Sequence, residues 1–247
     1  MTKNNINNIK KLLVVVVAVF VLGLTELYNN HGIISNILSH NSTQSSVTLS
    51  SIPEFDGTTT YVVLNGNVPS FTDEEKGSTE IVEIYLDLDS LGRCGAAFAN
   101  LHVSNMPTEK RGSIGMVKPS GWHTVRYDGL VDGNFLYNRC HLIGFQLAGE
   151  NANVKNLITG TRYLNVDCML PFENEVADYL KETGNHVLYR VTPIFVGNEL
   201  VARGVQMEAY SVEDNGRGVQ FNVYCYNNQP GVVIDYATGE SQLESEV

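Results

Sequence analysis

The sequence predicts an α+β fold: a central antiparallel sheet with few helices, in one domain behind a short N-terminal targeting segment. Three observations point there. Strand-like runs dominate, and the last three, His186 to Phe195, Leu200 to Val212 and Val219 to Tyr226, follow one another with no helix between them. One stretch, FENEVADYLKETG, has helical spacing at Phe172, Val176, Tyr179 and Leu180, with Pro171 near its start and Gly184 as its stop. No internal repeat is visible, which makes a solenoid or propeller unsuitable.

The elements follow in order from the N-terminus. Lys3, Lys10 and Lys11 precede the apolar run Leu12 to Leu24, the layout of an export signal, and the run is shorter than the roughly 18 residues of a spanning helix. Residues 1–28 therefore read as a signal peptide or an N-terminal membrane anchor. No A-x-A site follows, so cleavage and retention both stay open. Residues 29–54, dense in Ser, Asn and Thr, read as a linker, and the domain is expected over 55–247. Tyr61 to Leu64 reads as a strand entering the turn Asn65-Gly66-Asn67. Glu80 to Leu88 alternates apolar with acidic residues, as a half-buried strand does, and a turn region rich in Gly and Pro follows. Trp122 to Tyr127 and Tyr137 to Phe145 read as two extended segments around the turns Asp128-Gly129 and Asp132-Gly133.

Composition narrows the function. At 247 residues, with 43 % hydrophobic and 17 % charged content, one sizeable core is expected. The formal charge of −11, from 16 basic against 27 acidic residues, disfavours a protein that holds nucleic acid by coating its phosphates. An enzyme that releases its product can work with a small basic patch. The four cysteines show no C-x-x-C spacing, which excludes zinc ribbons and thioredoxin-type motifs and leaves two disulfides or buried thiols open.

The stretch that carries chemistry is Asn138-Arg139-Cys140-His141, followed by Asn153, Asn156 and Asn165. A neutral histidine can take a proton from water near physiological pH, and a neighbouring cation offsets charge building on a phosphoryl oxygen. Mg²⁺ keeps most of its waters, so one Asn or Asp oxygen can suffice as a protein ligand. By residue type alone these positions also suit a structural histidine, a solvated arginine and turn-forming asparagines.

The longer string YNRCHLIGFQLAGENANVKNLITGTRYLN, residues 137–165, resembles the DNA/RNA non-specific endonuclease family of the ββα-metal fold, whose Asp-Arg-Gly-His motif supplies the base. The likeness is nearest to secreted or membrane-anchored nucleases of Gram-positive bacteria, streptodornases among them, and extends more loosely over about residues 55–240. Ser90 to Gly95, Asn228 to Gly231 and Ile234 to Gly239 also look like family segments. The resemblance implies a sequence-independent, Mg²⁺-dependent endonuclease, with Mn²⁺ as a substitute ion, acting on DNA, with RNA as a second substrate, and leaving 5′-phosphates. By position it implies His141 as general base, Asn165 as metal ligand and Glu173 as the acid that bonds metal-bound water. Arg139 is implied as a phosphate contact, Arg111 or its rival Arg126 as a second, and Asn153 and Asn156 as cleft-lining residues.

The chain departs from the motif at Asn138, where the family has Asp, and at Cys140, where it has Gly. Loss of the Asp charge keeps a second reading alive, a catalytically silent surface-anchored binding protein on the same fold. A cysteine peptidase using Cys140 or Cys168 is the weakest alternative, since no nucleophile motif surrounds either. The expected location is secreted or at the outer face of the cell membrane, with membrane contact only if the N-terminal segment is retained and with no obligate protein partner.

Overall fold

A computed structural model of the chain describes residues 49–244. The expected targeting segment, 1–28, and residues 29–48 of the expected linker lie outside the described residues. Among those described, no helix is long and apolar enough to cross a membrane. The elements run β1 (Tyr61–Val63), α1 (Asp73–Lys76), β2 (Val82–Tyr85), β3 (Ala97–Leu101), β4 (Tyr137–His141), α2 (Phe145–Ala148), β5 (Leu157–Thr161), a π-helical turn (Leu164–Met169), α3 (Leu170–Thr183), β6 (Val187–Ile194), β7 (Gly204–Ser211), β8 (Gln220–Tyr226), β9 (Val232–Ile234) and β10 (Ser241–Leu243).

Six strands form one antiparallel sheet in the order β1-β8-β7-β6-β3-β2, and β4–β5 and β9–β10 form separate two-stranded ladders. The α+β expectation is met. The three late runs become β6, β7 and β8, which pair as successive neighbours. One face of the sheet carries Tyr189, Val191, Met207, Phe221 and Val223 into the main core with Val176, Ala177 and Leu180 of α3. On β6 and β7 the buried pair Arg190 and Glu208 meets at 2.8 Å, and Arg190 also donates to Ser70 and stacks on Phe71.

The long helix forms for local reasons. Pro171 sits in its first turn, where a missing N–H costs nothing, and Gly184 ends it with φ 68°, a left-handed conformation that glycine adopts without strain. Glu173, Val176, Ala177 and Leu180 make the buried stripe. A carboxylate thus stands on the core-facing side of an amphipathic helix, where burial without a partner is costly.

A disulfide joins Cys168 in the π-helical turn to Cys225 of β8, across 57 residues of sequence, while Cys94 and Cys140 are buried free thiols. The crosslink ties the turn that precedes α3 to the sheet. Replacing both Cys168 and Cys225 by serine is expected to lower the unfolding free energy by about 2–4 kcal/mol, read from urea denaturation of the full chain.

Four expectations need correction. Trp122 to Tyr127 is not a strand: its only ladder contact is the bridge Arg126 to Phe135 among the described residues, and Trp122, Val125 and Tyr127 instead pack on Leu136, Tyr137 and Tyr236. The extended segment expected to reach Phe145 ends at His141, and Phe145 opens α2. The strand partnering β4 is β5, and β3 lies inside the sheet; both were unread because every residue in each is buried, which erases the alternation that marks a half-buried strand. The packed chain also begins before Phe55, since Ile52 is buried against Tyr224 and Tyr226.

Candidate active site

The ladder of β4 and β5, the π-helical turn and α3 enclose a cleft of about 380 Å³ lined by Arg111, His141, Gln146, Arg162, Asn165 and Glu173 among others. His141 ends β4, opposite Leu157 of β5. Thr161 ends β5, and its hydroxyl accepts from the Leu164 N–H, so the chain turns at once into the segment bearing Asn165. Alignment of a strand end with a helix start therefore brings the His141 imidazole and the Asn165 carboxamide to one cavity.

His141 is buried, and its Nε2 lies 2.8 Å from the main-chain oxygen of Asn151. A carbonyl only accepts, so Nε2 carries the proton and Nδ1 keeps its lone pair. Arg111 Nη2 stands 3.3 Å from that Nδ1. Burial pushes the imidazole below its ordinary value near 6.5, and the Arg111 charge pushes the same way against the opposing pull of the Asn151 carbonyl. The ring is therefore neutral at pH 7, with Nδ1 unprotonated and accepting from Arg111 in the cleft.

Glu173 is buried, and this raises its carboxyl from 4.5 to about 7, with Gln146 and Arg111 pulling it back. Its oxygens lie against Gly144: a Cβ added there would sit 2.6 Å from Oε2 and 2.8 Å from Oε1. Any side chain at 144 would displace the carboxylate. Because the folded state holds this proton more tightly than the unfolded chain, the group's stabilising contribution in the metal-free protein is complete below about pH 4.5 and is lost as pH rises through about 7. Denaturation in EDTA is expected to show the wild type losing up to about 3 kcal/mol between pH 5 and pH 8 relative to Glu173→Gln.

The donor chemistry fits a hard divalent ion. Among the described residues no cluster of three or more His, Cys, Asp or Glu could hold a metal. The cleft offers the Asn165 carboxamide and the Glu173 carboxylate, two oxygen donors beside open volume, which suits an ion that retains several waters.

The other expected site residues are distributed unevenly. Arg111 reaches the cleft, and its rival Arg126 does not: it pairs with Asp128 at 2.9 Å on the surface and stacks on Phe135. Arg139 is turned away from the cleft, donating to the main-chain oxygens of Val117 and Gly115 and lying 4.1 Å over the Trp122 ring. Asn153 shapes its own loop by accepting from the Lys155 N–H. Asn156 is fully buried and clamps Ile143 through both ends of its amide. Neither asparagine lines the cleft. Arg162, Gln146 and Gly144 were missed by sequence reasoning, although the position of Arg162, three residues before Asn165, was a usable signal.

The peptidase alternative is overturned. Cys140 is fully buried, which raises its thiol well above the ordinary range, and Cys168 is in a disulfide.

Residues 72–213 match the DNA/RNA non-specific endonuclease family. The chain belongs to this family. Among solved structures, this endonuclease is similar to NucA from Streptococcus agalactiae with magnesium bound, at 26 % identity and TM-score 0.66 over 75 % of this chain and 87 % of that one. It is also similar to the Sda1 nuclease with bound zinc, at 28 % identity and TM-score 0.53 over 66 % of this chain and 80 % of that one. An extracellular endonuclease at 22 % identity, TM-score 0.53, covering 67 % of this chain and 87 % of its own, shares the fold. The chain is thus a nuclease that hydrolyses phosphodiester bonds, with nucleic acid as its substrate.

Proposed function

We propose that this endonuclease cleaves DNA, with RNA as a second substrate, by Mg²⁺-dependent hydrolysis at the cleft between β4 and α3, independently of sequence and outside the cell. The observation that carries this reading is the state of His141: Nε2 is occupied by the Asn151 carbonyl, and Nδ1 is unprotonated in a cleft that also holds Arg111, Asn165 and Glu173.

In this reading His141 Nδ1 takes the proton of the attacking water, and the Asn151 carbonyl steadies the imidazolium that results. Asn165 would be the ligand of the divalent ion, and Glu173 would support it from α3. When bound, the ion supplies charge stabilisation at the phosphoryl oxygens and the departing 3′ oxygen. Arg111, which donates to Nδ1 in the substrate-free cleft, exchanges that bond for the scissile phosphate when substrate binds and so frees the lone pair for the water. Arg162, whose partner Asp132 is 2.8 Å away at the exposed rim, can exchange that weak pairing for a neighbouring phosphate. Arg139 is a positioning residue that fixes the 115–117 stretch by its carbonyls. With contacts directed to phosphates and none assigned to base edges, cleavage is independent of sequence. The NucA structure with magnesium favours Mg²⁺, with Mn²⁺ as the substitute ion. Export rests on Lys3, Lys10, Lys11 and the Leu12 to Leu24 run.

The test is digestion of supercoiled plasmid and of unstructured RNA by the full chain with Mg²⁺, then with EDTA. Fragments of random length bearing 5′-phosphates, formed only with the ion, are expected. An intact plasmid in the presence of folded protein and Mg²⁺ would sink the reading. Arg111→Ala is expected to lower kcat/KM about 100-fold, while Arg126→Ala leaves it within about twofold of wild type; equal losses for the two would remove Arg111 from the site.

A further inference from the structure

Cys140 stands one residue before the base, at the position where the family motif has glycine, and the reaction has no use for a thiol. Its side chain is nonetheless built into the site. The Sγ atom lies 3.1 Å from Asn165 Oδ1 and 3.4 Å from Met169 Sδ, with no exposure to solvent. The one S–H has three acceptors within reach, Asn165 Oδ1, Met169 Sδ and the His141 main-chain oxygen at 3.8 Å, and Oδ1 is the nearest of them and a stronger acceptor than the thioether. The room for the thiol comes from across the ladder, where Gly160 has no side chain: a Cβ there would lie 2.6 Å from Cys140 Cβ and 3.2 Å from its Sγ. A residue larger than the family glycine at 140 is thus matched by the absence of a side chain at 160.

The contact has a consequence for Asn165. A carboxamide shows its oxygen or its nitrogen to a given side according to a half-turn about its last bond, and the nitrogen end carries partial positive charge that repels a cation. A donor fixed against Oδ1 selects one of the two orientations and leaves the second lone pair of that oxygen available. Groups that orient a metal ligand in this way commonly alter affinity by about 10- to 100-fold.

We infer that Cys140 is a positioning residue whose thiol holds the Asn165 carboxamide with Oδ1 directed to the ion-binding side of the cleft, giving tighter binding of the divalent ion than alanine at 140 would. This rests on the reading of Asn165 as the metal ligand.

The experiment is calorimetric titration of Mn²⁺ into the full chain without nucleic acid, with melting temperatures in EDTA recorded alongside. Cys140→Ala is expected to weaken Mn²⁺ binding about 10-fold, and Cys140→Ser, which keeps an X–H donor, to stay within about threefold of wild type. At saturating ion the kcat of Cys140→Ala returns close to the wild-type value, because the chemical groups are untouched. Should Cys140→Ala fail to fold, Gly160→Ala crowds the thiol from the opposite strand and is expected to weaken Mn²⁺ binding in the same direction. A folded Cys140→Ala with wild-type Mn²⁺ affinity overturns the inference, as does an equal loss in Cys140→Ser. If Asn165→Ala binds Mn²⁺ as wild type does, the ligand assignment itself fails, which is a separate result from failure at Cys140.

Discussion

Replacing His141 by alanine is expected to lower kcat by about 10²- to 10⁴-fold, the range that a positioned general base contributes. The site geometry explains why no neighbour can substitute. The Glu173 carboxylate is lodged against Gly144, and Arg111 and Arg162 cannot accept a proton. Cys140, the adjacent thiol, is fully buried and points to Asn165. Added imidazole should restore part of the activity, since the substitution leaves a void beside the Asn151 carbonyl that formerly accepted from Nε2. The pH profile carries the same information. Burial lowers the His141 value from 6.5, so the base is already free at neutral pH, and kcat/KM should fall only as pH drops below about 6.5. A variant lacking His141 should lose that acid limb.

The second large effect is at Asn165. Its alanine variant is expected to lose on the order of 10³-fold in activity at a fixed millimolar Mg²⁺, equivalent to several kcal/mol of charge stabilisation at the phosphoryl group. Asn165→Asp keeps the oxygen donor and can still accept from the Cys140 thiol, so it should retain far more activity than Asn165→Ala. Measuring rate against Mg²⁺ concentration for the three proteins separates lost affinity from lost chemistry. If the alanine variant follows the wild-type curve, the ion is held elsewhere.

Much of the fold was legible because its edges carry local signals. The helix declared itself through Pro171, the apolar spacing and Gly184, and β6 to β8 through long β-branched and aromatic runs. The strands that escaped are those buried on both sides: AFANL of β3 and LITGT of β5 show no alternation and include small residues. Trp122 to Tyr127 misled for the converse reason, because its apolar positions pack on a side cluster and need no ladder.

The site was legible where the chain itself fixes direction. His141 at a strand end and Asn165 and Glu173 around a helix start converge because adjacent elements place them. Arg139 shares the parity of His141 on the strand, and parity alone would point it to the cleft. What turns it away are carbonyls of Val117 and Gly115, more than twenty residues distant in sequence, and the Trp122 ring. Asn156 has the right chemistry for a cleft, but both ends of its amide are consumed by Ile143. Long-range partners of this kind leave no trace in local spacing.

On the proposed mechanism the divalent ion sits on Asn165 within reach of His141. Anomalous diffraction from a crystal of the full chain soaked in Mn²⁺ would locate the ion. A single strong peak is expected in the cleft, at a coordination distance of about 2.0–2.3 Å from Asn165 Oδ1. A peak elsewhere, with the cleft empty and the soaked protein active on DNA when redissolved, would contradict it.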